Sequence, residues 1–220
     1  QHVFIAGMAR SGTTILLNEL YKTGAFATLT YADMPFVLAP NLWNKIKIKT
    51  NDLKSHERSH GDGIMIDTNS PEAFEEIYWQ TFGDKKGLMQ LSKFISSVLK
   101  KDAKKRYLSK NNSNIFRLEK IQHALPNSLM LIPFRNPLQQ ANSLLTQHKR
   151  FLQAQSEDKF IKDYMDWLGH KEFGQGYHPH VTNALTFSNP LNLNHWLEQW
   201  DLVHNELLRQ VKINAINLYF

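Results

Sequence analysis

Between Gly7 and Thr14 the chain reads Gly-Met-Ala-Arg-Ser-Gly-Thr-Thr, directly after the apolar run Val3-Phe4-Ile5-Ala6. The two glycines let the backbone turn sharply and aim several N–H groups at one anion. Residues 13–22 have helical period, so the positive end of a helix dipole adds to that attraction. The spacing is that of a nucleotide-triphosphate loop, but Thr13 stands where such loops need lysine. The cation sits inside the loop instead, at Arg10. A γ-phosphoryl group carries heavy charge and needs lysine, Mg²⁺ and an acid to hold the metal. A sulfuryl group carries a single negative charge, so its transfer proceeds without metal. The charge to be stabilised then builds on the bridging oxygen and the leaving phosphate, a task that suits Arg10 and the hydroxyls of Ser11, Thr13 and Thr14. The bland alternative is a glycine-containing strand–helix turn with no function.

The run Arg10-Ser11-Gly12-Thr13-Thr14 resembles the loop of sulfotransferases that use 3′-phosphoadenosine 5′-phosphosulfate (PAPS), which reads Arg or Lys, Ser, Gly, Thr, Thr. The resemblance, closest to the bacterial or carbohydrate/tyrosylprotein-type branch, implies PAPS as co-substrate and no metal. It also implies that Arg10, Ser11, Gly12, Thr13 and Thr14 bind the 5′-phosphosulfate. That family places an arginine at the end of a later strand and a serine eight residues on, both holding the 3′-phosphate. Here Arg135 ends the run Leu131-Ile132-Pro133-Phe134, and Ser143 follows eight residues later. An arginine at a strand's C-terminal end faces the crevice where α/β sheets bind ligands, and Ser143, two helical turns along, can point the same way. Alone, Arg135 would be a surface arginine and Ser143 a helix filler. Lys110, after Tyr107-Leu108-Ser109, matches the family lysine that reaches the transferring sulfuryl. However, Asn111-Asn112-Ser113 replaces the usual proline-containing turn, and a solvated lysine closing a strand is the alternative.

Transfer to an alcohol is helped by a group that takes the acceptor's proton. The histidine of cytosolic family members has no counterpart in the asparagine-rich turn. The carboxylate of the tyrosylprotein branch corresponds to Asp33, in Tyr31-Ala32-Asp33-Met34-Pro35. Asp33 is therefore the first candidate base, with a turn or capping aspartate as its alternative. His56, Glu57, His60 and Asp62 form a second group, in a Gly-containing loop that could fold over the nucleotide. His178 and His180 suggest a metal pair, but without a third ligand they read as surface residues. Lys45, Lys47 and Lys49 read as a solvated edge. Trp196 and Trp200, at helical spacing, read as core.

Short apolar runs alternate with segments of helical period. This is the pattern of an α/β domain, here a three-layer P-loop-NTPase-like fold with a central, mostly parallel sheet of about five strands flanked by helices. Strands are expected at 3–6, 27–31, 107–108, 129–134 and 215–220. Helices are expected at 13–22, from Ser70-Pro71-Glu72, through Leu88–Leu99, from Asn136-Pro137, from Ser156-Glu157-Asp158 to Gly169, and around Trp196–Val211. Segments 45–63 and 170–193 read as irregular. The 220 residues suit one sulfotransferase-like domain, 1–220, and a chain ending on a buried strand is expected to continue past Phe220.

With no cysteine, disulfide scaffolds, thiolate metal sites and cysteine nucleophiles are excluded, and a cytoplasmic location is the expectation. The apolar runs are too short for a membrane span, and no signal peptide is visible, although a trimmed leader is compatible with Gln1. The net charge of +6 suggests an anionic partner. The expected activity is metal-independent in-line sulfuryl transfer from PAPS to a hydroxyl or amine on a small molecule, glycan or peptide, with no nucleic-acid partner. The alternatives are a P-loop kinase, for which Gly63-Ile64-Met65-Ile66-Asp67 would be the metal-binding strand, and a non-catalytic module for anionic ligands.

Overall fold

The computed structural model describes residues 1–46, 55–58, 61, 63–104, 106–182, 185–214 and 218–219, with backbone alone for 212–214 and 218–219. In chain order the elements are β1 (Val3–Ile5), α1 (Thr13–Lys22), α2 (Pro40–Ile46), β2 (His56–Glu57), β3 (Met65–Ile66), α3 (Glu75–Asp102), β4 (Leu108–Lys110), α4 (Leu118–Ala124), β5 (Leu129–Leu131), α5 (Pro137–Glu157), α6 (Lys159–Leu168), α7 (Leu193–Asn214) and β6 (Leu218–Tyr219). The main sheet has the order β4-β1-β5-β6, and its strand pairs are parallel. Val3 lies beside Leu108 and Leu129, and Ile5 beside Lys110 and Leu131.

Alternation along β1 divides the core. Val3 and Ile5 pack with Leu17, Phe26 and Leu108 on one face of the sheet. Phe4 joins the larger cluster on the other, with Phe94, Ile95, Leu144 and Val203 from α3, α5 and α7. A strand buried on both faces reads as an unbroken apolar run, which is why Val3-Phe4-Ile5-Ala6 shows no polar alternation. Because the strands are parallel, the residues that follow β1, β4 and β5 emerge at one edge. That edge receives the Gly7 loop, Lys110 and Arg135.

Several expectations on elements are corrected. Among the described residues the main sheet has four strands, because 27–31 supplies a single parallel bridge, Ala27 to Tyr107. The backbone N–H of Thr30 is captured by the Asp33 carboxylate at 2.8 Å, which turns the chain into a short 3-10 helix, Tyr31–Asp33. Ser70-Pro71-Glu72 does not start a helix either. Ser70 exchanges hydrogen bonds with Asp67, Pro71 bridges to Thr30, and α3 begins at Glu75. The expectation of two helices between 70 and 100 holds: α3 is two helices meeting at a kink at Gly83, whose φ of 67° is non-helical. Asn136 and Asp158 cap α5 and α6 by accepting from the N–H groups of Gln139 and Phe160, and Gly169 (φ 74°) ends α6. Phe160, an apolar residue in the first turn of α6, is exposed. The 45–63 segment contains strand β2, paired antiparallel with β3. Lys47, Lys49, His60 and Asp62 lie outside the described residues.

Candidate active site

The loop from Gly7 to Thr14 joins β1 to α1. A Cβ at Gly7 would stand 3.2 Å from Ser11 Oγ and 3.3 Å from Thr13 Cγ2, so any larger residue there would press on the side chains of the loop. Gly12 caps α1 with φ 99°, and Arg10 itself adopts φ 67°. A non-glycine residue in that region costs roughly 1–2 kcal/mol, strain of a kind that clusters at functional loops. The Ser11 hydroxyl donates to Met8 O at 2.8 Å and closes the turn. From α5, Gln140 donates its amide to Ala9 O at 2.9 Å, and Trp200 of α7 donates its indole N–H to Gln140 Oε1 at 3.0 Å.

Arg10 and Arg135 meet here. Arg10 Nε donates to Ser143 Oγ at 3.0 Å, and Arg135 Nη1 donates to Arg10 O at 3.1 Å. Arg10 thus shares one site with Arg135 and Ser143, each more than 120 residues away in sequence. Arg10 and Arg135 both line one open cleft. Gly12, Thr13, Thr14 and Lys110 line it as well. Ser11 and Ser143 are not in its wall, because each holds another part of the site in place.

Four residues that motif reasoning missed complete the cleft. Arg58, buried at the end of β2, donates to Thr14 Oγ1 at 3.3 Å. Glu72, His170 and Glu172 form much of the polar lining away from the loop. Nothing in the primary structure marks Arg58, and Glu72 is hidden inside what looks like a helix start. Glu72 Oε2 accepts from the Tyr31 hydroxyl at 3.0 Å, and its Oε1 accepts from Ala73 N–H at 2.7 Å. Burial alone would raise its pKa. Lys110, His170, Arg58 and the Ala73 N–H outweigh that and hold it at about 2. Glu172 is likewise held below the usual range: burial is outweighed by His170, Lys110, His180 and the Asn112 amide. Burial pushes the Lys110 ammonium down, while Glu72 and Glu172 pull it back up.

The asparagines after β4 explain why no proline is needed there. Asn111 donates to Glu76 Oε2 at 2.8 Å and Asn114 to Glu75 Oε1 at 2.8 Å. Both acids belong to the first turn of α3, and Tyr107 and Trp79 also donate to Glu75. The turn is bracketed by polar contacts, and Lys110 is fixed between strand and bracket.

Asp33 does not line the cleft. Its carboxylate is 1% exposed, caps Thr30 and accepts from Lys101 Nζ at 2.7 Å, so the capping alternative describes it. Glu57 and His56 are exposed on β2 outside the cleft lining, and Glu57 accepts from Gly63 N–H. His178 is exposed, and His180 packs against Phe116. Among the described residues, no group of three or more His, Asp or Glu is placed to hold a metal ion. Asp67, the metal ligand of the kinase alternative, caps a surface turn through Asn69 and Ser70. No helix of the described residues is long and apolar enough to cross a membrane.

The family model described as "Sulfotransferase family" matches residues 2–185. No curated protein sequence matches the chain. Among solved structures, sulfotransferase STF9 from Mycobacterium avium aligns at 10% identity and a TM-score of 0.41, covering 99% of this chain and 69% of that one. Sulfotransferase STF1 from Mycobacterium tuberculosis H37Rv aligns at 14% identity and a TM-score of 0.42, covering 94% and 76%. With the family model spanning the phosphate loop, Lys110, Arg135 and Ser143, the chain belongs to the sulfotransferase family, whose norm is to draw the sulfuryl group from PAPS.

Proposed function

We propose that PAPS lies across the cleft, with its 5′-phosphosulfate on the Arg10–Thr14 loop and its 3′-phosphate on Arg135 and on Ser143, whose hydroxyl, outside the wall and engaged by Arg10, reaches the phosphate once Arg10 turns to the donor. The observation that carries this reading is the contact between Arg135 and the Arg10 backbone, with Ser143 on the Arg10 side chain. Two cations close together in one half-buried cleft match a ligand with phosphate at both ends better than a single charge. The acceptor's oxygen or nitrogen attacks sulfur, and the bond from sulfur to the 5′-phosphate oxygen breaks. Adenosine 3′,5′-bisphosphate leaves, and the acceptor's proton passes to Glu72. Lys110 and the loop N–H groups meet the charge that grows on the bridging oxygen, a form of stabilisation worth several kcal/mol. Because the transferring group bears one negative charge, the step needs no metal.

Glu72 takes the role that the primary structure suggested for Asp33. At about pKa 2 it is ionised but a weak base, since Lys110 and Arg58 face it. Binding the anionic donor engages those cations and releases their pull, so the carboxylate gains basicity when a donor is in place. Residues 1–220 are read as one domain, and the acceptor is a small molecule, glycan or peptide. Adenosine 3′,5′-bisphosphate should raise the melting temperature well beyond ATP with Mg²⁺ at equal concentration, by mass action. Equal protection by ATP–Mg²⁺ would refute the donor assignment.

A further inference from the structure

One residue of the β2–β3 hairpin is turned against the trend of its neighbours. His56 and Glu57 are exposed, and so is Met65, which pairs with Glu57, yet Arg58 is only 7% exposed. An arginine is seldom buried to that degree unless a partner draws it in. The hairpin is fastened so that this side chain points inward. Arg58 N–H donates to Ile64 O at 3.1 Å, and Gly61 N–H donates to Arg58 O at 3.0 Å. From α5, Arg150 Nη1 donates to Gly61 O at 2.8 Å. Inside the cleft, Arg58 Nη1 donates to Thr14 Oγ1, at the start of α1. A hydroxyl both gives and accepts, so a Thr14 oxygen that accepts from Arg58 keeps its proton for another acceptor. Arg58, Glu72 and Lys110 line the same cleft, and the charge of Arg58 acts on both of the others. Thr14 belongs to the loop that takes the 5′-phosphosulfate, Lys110 meets the bridging oxygen, and Glu72 takes the acceptor's proton. The group that passes among these three is the sulfuryl in transit.

We infer that Arg58 holds the sulfuryl group itself, by its non-bridging oxygens, and so lets the cleft tell the sulfated donor from the spent nucleotide. This rests on the cleft being the PAPS site. Adenosine 3′,5′-bisphosphate keeps its 5′-phosphate on the Arg10–Thr14 loop but lacks the oxygens that Arg58 grips. A guanidinium suits the task, because its planar fork of five N–H groups can hold Thr14 and a sulfuryl oxygen together, which a lysine ammonium does less well.

Calorimetric titration of the wild type, Arg58→Gln and Arg58→Lys with PAPS and with adenosine 3′,5′-bisphosphate tests this without any acceptor. Arg58→Gln should weaken PAPS about tenfold or more, the usual worth of a hydrogen bond to a charged group, and change the bisphosphate by less than about threefold. Equal weakening of the two nucleotides would make Arg58 a prop for the loop, and an unchanged PAPS affinity would place it away from the sulfuryl. Either result overturns the inference. Should Arg58→Gln not fold, the comparison passes to Arg58→Lys, which keeps the charge without the fork. PAPS should then weaken about threefold more than the bisphosphate, and an equal change would overturn the inference. Failure of the bisphosphate to bind the wild type would instead bring down the donor reading.

Discussion

In the proposed reading Glu72 collects the acceptor's proton, and its substitution separates chemistry from binding. Glu72→Gln keeps the shape and the contact from Tyr31 but removes the charge. The expected loss in kcat is about 10²–10⁴-fold, the usual worth of a positioned base, with the affinity for adenosine 3′,5′-bisphosphate changed by less than about threefold. Isothermal titration beside steady-state kinetics checks this, and a loss confined to bisphosphate affinity would remove Glu72 from the proton's path. At this scale the phosphate loop was legible because its chemistry is contiguous: Gly7, Arg10, Gly12, Thr13 and Thr14 sit within eight positions. Arg135 and Ser143 were legible only through family resemblance. Arg58, Glu72, His170 and Glu172 were not legible, since each reaches the cleft from a segment whose local pattern is an ordinary turn, hairpin or loop.

Among the elements, the end signals at Asn136, Asp158 and Gly169 were read correctly, whereas the one at Ser70-Pro71-Glu72 was not. Asn136, Asp158 and Gly169 do at α5 and α6 what their side chains and backbone freedom dictate. α2 and α4, seven residues each, are too short to show a period, and the 27–31 strand was lost to a carboxylate capturing its backbone. The hinge of the machinery at this scale is the join of β1 to α1. Gly12→Ala places a side chain at φ 99°, where nothing within 4 Å obstructs it, so its cost is backbone strain alone. That cost is about 1–2 kcal/mol, or a fall of roughly 2–8 °C in melting temperature for a chain of this size. Weakened bisphosphate binding should accompany it, because relaxation of φ re-aims the N–H groups at the start of α1. A variant with unchanged melting temperature and unchanged affinity would show that the loop does not depend on this conformation.

For the molecule as a whole, two buried groups predict how stability responds to acid. His148, 2% exposed, is held down at about 4 by burial and then by the charge of His195, and its Nδ1 accepts from Gly174 N–H. The unfolded chain takes up this proton near pH 6.5 while the folded chain refuses it, so stability should decline as pH falls from 6.5 to 4. Glu72 extends the decline from about 4.5 to 2, since the unfolded carboxylate is protonated first. Urea midpoints measured across this range should show both limbs, and His148→Gln should shrink the upper one, to which His2, His180 and His204, also held below the usual range by burial, contribute. An identical upper slope in that variant would exclude His148 as a contributor. The α/β layering was legible from the apolar runs. The convergence of three strand ends on one edge follows from their being parallel, which no local pattern states.

The chain of contacts from Trp200 through Gln140 to Ala9 carries a practical consequence. The final helix, remote in sequence from the phosphate loop, shares a hydrogen-bonded rod with the carbonyl one residue before Arg10. Once the other four tryptophans are replaced, the emission of this indole is expected to shift when adenosine 3′,5′-bisphosphate binds, a label-free readout of the loop.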